Sequence, residues 1–275
     1  MSAVDRPVHP VPPTSDPVPI TGRRDAHGNS RVAQRYRTIV VVGGGCYGAY
    51  YVRQLMRAER AGALAWERLV VVDRDPDCRV AREGETEVEI ATAAWASWFA
   101  GFLGGASSDV DRGFRDAIVP SPLMPHLLFD WLVERARARW PARRVLVTPV
   151  GSVPNVPWQR PSADALTHYV SFAEWMCPIN CIEPVRCPAT RGARSWTMPG
   201  AVAEYVAAAR ARGHNVDGPF VFHCTHRAYG VGMIDVDTVL AADMAIAAAA
   251  GHGRAEFIIG TASHCHGALG RLEIE

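Results

Sequence analysis

Five short apolar runs separated by amphipathic stretches make up the first half of the patterned part of this chain. The first run, Thr38-Ile-Val-Val-Val42, is continuous and β-branched, as in a strand buried on both faces of a parallel sheet. A glycine turn follows, then a helix predicted from about Tyr47 to Arg60 and stopped by Gly62. Leu69-Val-Val-Val72, closed by Asp73, is the second strand. Glu87-Val-Glu-Ile-Ala91 alternates and reads as a third strand, at a sheet edge. Glu83, Glu85, Glu87 and Glu89 would then form one solvated face. An aromatic helix through Trp95, Trp98 and Phe102 leads to the fourth strand, Ala117-Ile-Val119. Pro125, a favoured first helical residue, opens the next helix, and Arg144-Val-Leu-Val-Thr148 is the fifth strand. Strands alternating with helices at this spacing predict an α/β fold with a doubly wound, mostly parallel sheet.

The alternation breaks at Pro149. From there to Trp196 the chain is rich in Pro, Cys and Trp and reads as an insertion, with one strand from Tyr169 to Glu174. Tyr169, Phe172 and Trp175, next to the cysteine loop, would shield a metal from water or form the core of the insertion. Regular structure resumes with a helix from Pro199 to about Arg212, stopped by Gly213, and a strand Phe220-Val-Phe222. An Ala-rich helix from about Asp237 to Ala250 follows, with Asp235 and Asp237 as caps. Glu256-Phe-Ile-Ile259 is a further strand, and Leu269 to Ile274 a short antiparallel edge strand. Three regions result. Residues 1–35 are a proline-rich, disordered tail; 36–150 are a nucleotide-binding half; 151–275 carry the cysteine-rich loop and a C-terminal α/β half.

Composition narrows the function classes. A net charge of +1 gives no electrostatic case for nucleic acid or an anionic membrane as partner. The longest apolar run, Val239 to Ala250, contains Asp243 and is too short to span a bilayer. Seven cysteines is an odd number, and no basic-then-apolar leader precedes them. The expectation is a cytoplasmic protein, possible as a homo-oligomer, whose thiols serve a metal or catalysis rather than a disulfide framework.

Three of those thiols share one loop, Cys177-Pro-Ile-Asn-Cys181-Ile-Glu-Pro-Val-Arg-Cys187-Pro188. Thiols four and six residues apart can converge on one centre, and the prolines hold the loop out of a helix. Such a trio suits zinc or an iron–sulfur cluster. Two later clusters, His223-Cys224-Thr-His226 and His264-Cys265-His266, follow apolar strands and fall at their carboxyl ends, the ligand-binding edge of an open α/β sheet. Strand alternation would put Cys224 and His226 on one face with His223 opposed, and His264 and His266 together with Cys265 opposed. The expected metal ligands are Cys177, Cys181 and Cys187, completed by Cys224 or Cys265. The candidate proton-transfer groups are His226, His264 and His266, with His126 at the start of the helix after Pro125.

Gly43-x-Gly45-x-x-Gly48 lies directly between a strand and a helix. The first glycine permits the tight turn, the second lets a pyrophosphate approach the backbone, and the third lets helix and strand pack closely. Asp73 ends the second strand, where an acid can bond ribose hydroxyls. Over residues 38 to about 150 the chain resembles the Rossmann-type NAD(P)-binding superfamily. That resemblance implies a dinucleotide at Gly43, Gly45, Gly48 and Asp73; S-adenosylmethionine and an empty crevice stay open as alternatives.

The function expected from these features is a cytoplasmic NAD(P)-linked redox enzyme with a cysteine-ligated iron–sulfur cluster or zinc beside the nucleotide. Its partner would be a small substrate or an electron-transfer protein. Two other readings are a nucleotide-sensing protein with a structural metal and a metal-handling protein.

Overall fold

A computed structural model describes residues 34–84, 86–106, 115–151, 153–173 and 177–275. The tail up to residue 33, Glu85, and Glu174 and Trp175 beside the cysteine loop lie outside the described residues.

The apolar run at Ile39–Val42 is fully buried in β1 (Gln34–Val42), as its β-branched sequence requires. β2 (Leu64–Asp73) and β4 (Arg115–Val119) flank β1 in parallel, and β3 (Glu89–Thr92) lies parallel beyond β2. α1 (Cys46–Arg60) is the crossover between β1 and β2, and it ends with Arg57 and Arg60 at its C-terminus, where cations suit the helix dipole. The sheet then changes direction. β10 (Val231–Asp235) runs antiparallel to β4, and β9 (Thr225–Ala228) antiparallel to β10, giving the order β3-β2-β1-β4-β10-β9.

The other strands form a second sheet. Its order is β6 (Trp158–Pro161), β7 (Thr167–Ser171), β12 (His266–Ile274), β11 (Ala255–Ala262) and β8 (Asp217–His223), with β5 (Val145–Thr148) beside the far half of β12. Among the described residues of this sheet only β11 and β8 pair in parallel.

The expected doubly wound, mostly parallel sheet is therefore incorrect: the described residues form two mixed sheets, and most of their strand pairs are antiparallel. An apolar run buried on both faces looks the same whichever way its neighbours run, so the sequence pattern gave no direction. The fifth run joined the second sheet as β5, antiparallel to β12. Nor is the terminal strand an edge, because β12 has β11 on one flank and β7 and β5 on the other. Glu83 sits in a short helix, α2 (Arg79–Glu83), bonded to Arg53 and Arg79, while Glu89 opens β3.

Helices fill three layers. α3 (Trp95–Ala106), α4 (Leu127–Arg139) and α6 (Val236–Gly251) form one core with residues of both sheets, among them Val40, Ile118, Phe257 and Leu272. Each such side chain taken fully out of water contributes roughly 1.5–3 kcal/mol. α1 covers the other face of the first sheet, and α5 (Met198–Ala211) the other face of the second. Thr197 caps α5 by accepting from the Gly200 N–H at 3.0 Å, with Pro199 in the first turn, so this helix begins where its sequence directs. Asp235 precedes α6 but accepts from Arg227 at 2.7 Å instead of capping the helix with its side chain. Asp243 of α6 receives both Arg135 and Arg139 of α4, locking those two helices together. No helix of the described residues is long and apolar enough to cross a membrane.

A candidate thiol and imidazole site

A cavity of about 180 Å³ opens where α1, the loop after β4, the cysteine loop and the β11–β12 turn meet. Cys177, Cys181, Cys224, Cys265, His226 and His266 all line it. Cys187 is buried outside the lining, and His264 and His126 also lie outside it. His126 sits at the start of α4, 3.7 Å from Asp130 one turn on.

Three of these groups form a hydrogen-bonded chain with Ser171. Register across the second sheet sets His266, the first residue of β12, opposite Ser171, the last residue of β7. Ser171 Oγ lies 2.8 Å from His266 Nδ1, and His266 Nε2 lies 3.0 Å from Cys177 Sγ. The Cys177 thiol in turn bonds the Cys181 sulfur. One placement of protons satisfies the whole chain: Ser171 accepts from the Ala173 N–H at 3.0 Å and donates to Nδ1, Nε2–H donates to Cys177, and Cys177 S–H donates to Cys181.

The two thiols consequently part company. The bond from Cys177, with a further one from the backbone of Glu183, brings Cys181 down to about 6, although burial opposes this. Cys177 moves the other way, because its proton is held by the Cys181 thiolate and because it is buried. The other thiols are quieter. Burial pushes Cys224 up to about 12, with Glu183 adding to the shift, and burial also raises Cys265. Burial raises Cys187 too, but the backbone and hydroxyl of Thr190 and the backbone of Ala189 outweigh it and hold this thiol below its ordinary range. All seven cysteines are free.

Across the lining from this chain stands a group of imidazoles around one carboxylate. Glu183 Oε1 accepts from the His264 N–H at 2.9 Å, and Oε2 lies 4.0 Å from His226 Nδ1. His223 and His264 face each other with ring centres 6.1 Å apart. Gly232 of β10 makes room for this wall, since a Cβ there would lie 2.5 Å from Cys224 Sγ and 3.2 Å from His226 Cδ2. Cys224 and His226 face the cavity and His223 does not. In the second cluster Cys265 and His266 face it while His264 does not, because 263–265 is a turn and the alternation of β12 starts only at His266. As the side chains stand, no three His, Cys, Asp or Glu groups of the described residues enclose a metal-sized point.

The glycine turn lies at the same edge. Gly43 has φ +84°, a conformation glycine adopts without strain, and a Cβ on Gly48 would lie 1.9 Å from the Gly43 carbonyl oxygen. Gly45 faces open space. Asp73 braces the turn, with Oδ2 accepting from Gly44 N–H at 2.6 Å and Oδ1 from Asp75 N–H at 3.0 Å. Tyr47 and Tyr51, on the first turns of α1, line the cavity and join the turn to the thiol site.

Ser171, Glu183 and the two tyrosines were not among the residues singled out by sequence. Glu183 carried a readable signal, an acid inside the thiol loop. A serine closing a strand carried none until its partner across the sheet was known.

The fold and the site together define a mixed α/β protein built around a thiol and imidazole cavity between two sheets. Residues 128–275 match the family AF_1314_C, described as the C-terminal domain of an uncharacterized protein, and the chain belongs to that family. The matched stretch holds every thiol and imidazole lining the cavity. No curated protein and no solved structure matches the chain.

Proposed function

We propose that this chain is an oxidoreductase whose electron pair is carried by the Cys177/Cys181 dithiol. The observation that carries this reading is the chain Ser171–His266–Cys177–Cys181 ending in a cavity. A thiolate held ready beside a protonated second thiol is the arrangement that thiol–disulfide exchange needs. Cys181 attacks one sulfur of a substrate disulfide. A bond forms between them, the substrate S–S bond breaks, and the departing thiolate takes the proton of Cys177. Cys177, now a thiolate receiving Nε2–H from His266, attacks the Cys181 sulfur. The Cys177–Cys181 disulfide forms, and the second substrate thiolate leaves to be protonated by solvent. The protein dithiol loses two electrons and the substrate gains them as two thiols. A cellular dithiol reverses the sequence, which suits the reducing, cytoplasmic setting expected of the chain.

The glycine turn supports a dinucleotide beside this site. The positive φ at Gly43, the open space at Gly45 and the close packing at Gly48 suit a pyrophosphate on the backbone, and Asp73 has lone pairs left for ribose hydroxyls. Bound there, NAD(P) would supply or accept a hydride. Tyr47 would form part of the wall between nucleotide and thiols.

The test is redox titration of the purified protein with mixtures of reduced and oxidised dithiothreitol, followed by peptide mapping and metal analysis of the same sample. A single disulfide joining Cys177 and Cys181, with the other five thiols reduced, is expected. A titration that never links them overturns the reading. So does stoichiometric iron or zinc held through Cys177 and Cys181, which would return the loop to a metal centre.

A further inference from the structure

We infer that the cavity receives a primary ammonium group between His226 Nδ1 and Glu183 Oε2, so that the disulfide reduced at Cys181 is a small one bearing an amine. This substrate class rests on the dithiol reading; the ammonium site itself does not.

The argument starts from two acceptors with nothing to accept. The backbone of Ile182 takes a hydrogen bond from the His226 ring. Nδ1 is buried and has no partner, and in the tautomer with its proton on Nε2 it presents a lone pair. Burial favours the neutral ring. Glu183 uses Oε1 on His264, and its Oε2 stops 4.0 Å from Nδ1. Neither atom can donate to the other. A donor placed about 2.9 Å from each would subtend roughly 90° between them, close enough to tetrahedral for two N–H bonds from one ammonium.

Charge selects the cation over a neutral donor. Glu183 and the Cys181 thiolate are the charged side chains among the described lining residues, both anionic, and the Glu183 side chain is 15% exposed. A carboxylate so enclosed calls for a counter-charge. Arg194 acts on Cys181, Cys265 and His226 from outside the lining and leaves the gap itself unfilled. The rings of Tyr47 and Tyr51, also in the lining, favour a cation and disfavour an anion. The cavity, about 180 Å³, suits a small ligand.

The experiment has two arms. In the first, the reduced protein meets three matched disulfides bearing amine, hydroxyl or carboxylate ends. Oxidation of Cys177 and Cys181 is followed by intact mass, and each rate is divided by that disulfide's rate with a free thiol. The amine compound should lead the hydroxyl compound by about tenfold or more, with the carboxylate slowest. In Glu183→Gln the ratio of amine to hydroxyl should fall towards one. In the second arm, calorimetry of the wild-type protein compares propylammonium with propanol, and only the ammonium should bind. Equal normalised rates with no propylammonium binding mean that water alone fills the gap, and the inference falls. Propylammonium binding without any disulfide chemistry keeps the ammonium site and sinks the dithiol reading instead.

Discussion

Replacing Cys177 with alanine removes the S–H donor that holds Cys181 as a thiolate. The Cys181 thiol falls from the ordinary 9.0 to about 6 with that bond as the largest cause. At pH 7 a pKa near 6 leaves about 90% thiolate, and one near 9 about 1%. The backbone donor of Glu183 persists in Cys177→Ala, so the Cys181 midpoint should rise by about two units or more rather than by the whole shift. Alkylation rate is a poor gauge of this change. A thiolate with a pKa two units higher is intrinsically about eightfold more nucleophilic, which would nearly cancel a roughly tenfold fall in thiolate population. The assay is therefore a pH titration of ultraviolet thiolate absorbance, each protein measured against its own Cys181→Ser partner to subtract Cys187. A Cys177→Ala midpoint still near 6 would show that something other than the Cys177 thiol sets the Cys181 charge, and the proton chain would have to be abandoned.

Three further outcomes follow from close packing, backbone access and charge. In Gly48→Ala the new Cβ must retreat from 1.9 Å to about 3.0 Å or more from a backbone oxygen, which should cost about 1–3 kcal/mol in chemical denaturation. Gly45→Ala adds its Cβ to open space and should change stability by no more than about 0.5 kcal/mol while weakening NAD binding by calorimetry; undiminished binding would place the pyrophosphate elsewhere. Asp243→Ala strips the buried carboxylate from two half-exposed arginines and should lose about 2–3 kcal/mol, roughly 4–12 °C in Tm by calorimetry. A Tm within one or two degrees of wild type would mean that α4 and α6 are held by apolar contacts alone.

The sequence was most readable where one physical cause acted alone. β1, α1 and the end of β2 follow from an uninterrupted β-branched run and a glycine turn, and α5 from its cap and its first-turn proline. Legibility failed where partners lay far apart along the chain. The stretch from Thr225 to Asp235 is broken by Gly230 and Gly232, lacks a clean alternation, and forms β9 and β10 only because β4 offers an edge. The site shows the same divide. The thiol loop and both imidazole clusters stood out as residue types in unusual density. Their pairing did not, because Cys177 meets His266 across 89 residues and His266 meets Ser171 across 95. No local spacing encodes contacts of that length.

The way the C-terminal part of the chain interlocks with the rest bears on how the protein can be cut. The family-matched stretch begins at residue 128, inside α4, yet it sends β10 back to pair with β4 and complete the first sheet. A fragment trimmed to that stretch would retain all the thiols and imidazoles of the cavity but would uncover the β10 edge that β4 shields. An unpaired edge backed by Val231, Met233 and Ile234 is a template for another chain. Expressed alone, such a fragment is set up to self-associate through that edge, so that its solubility, rather than its chemistry, would fail first. The smallest piece worth isolating for study of the dithiol therefore begins at β1.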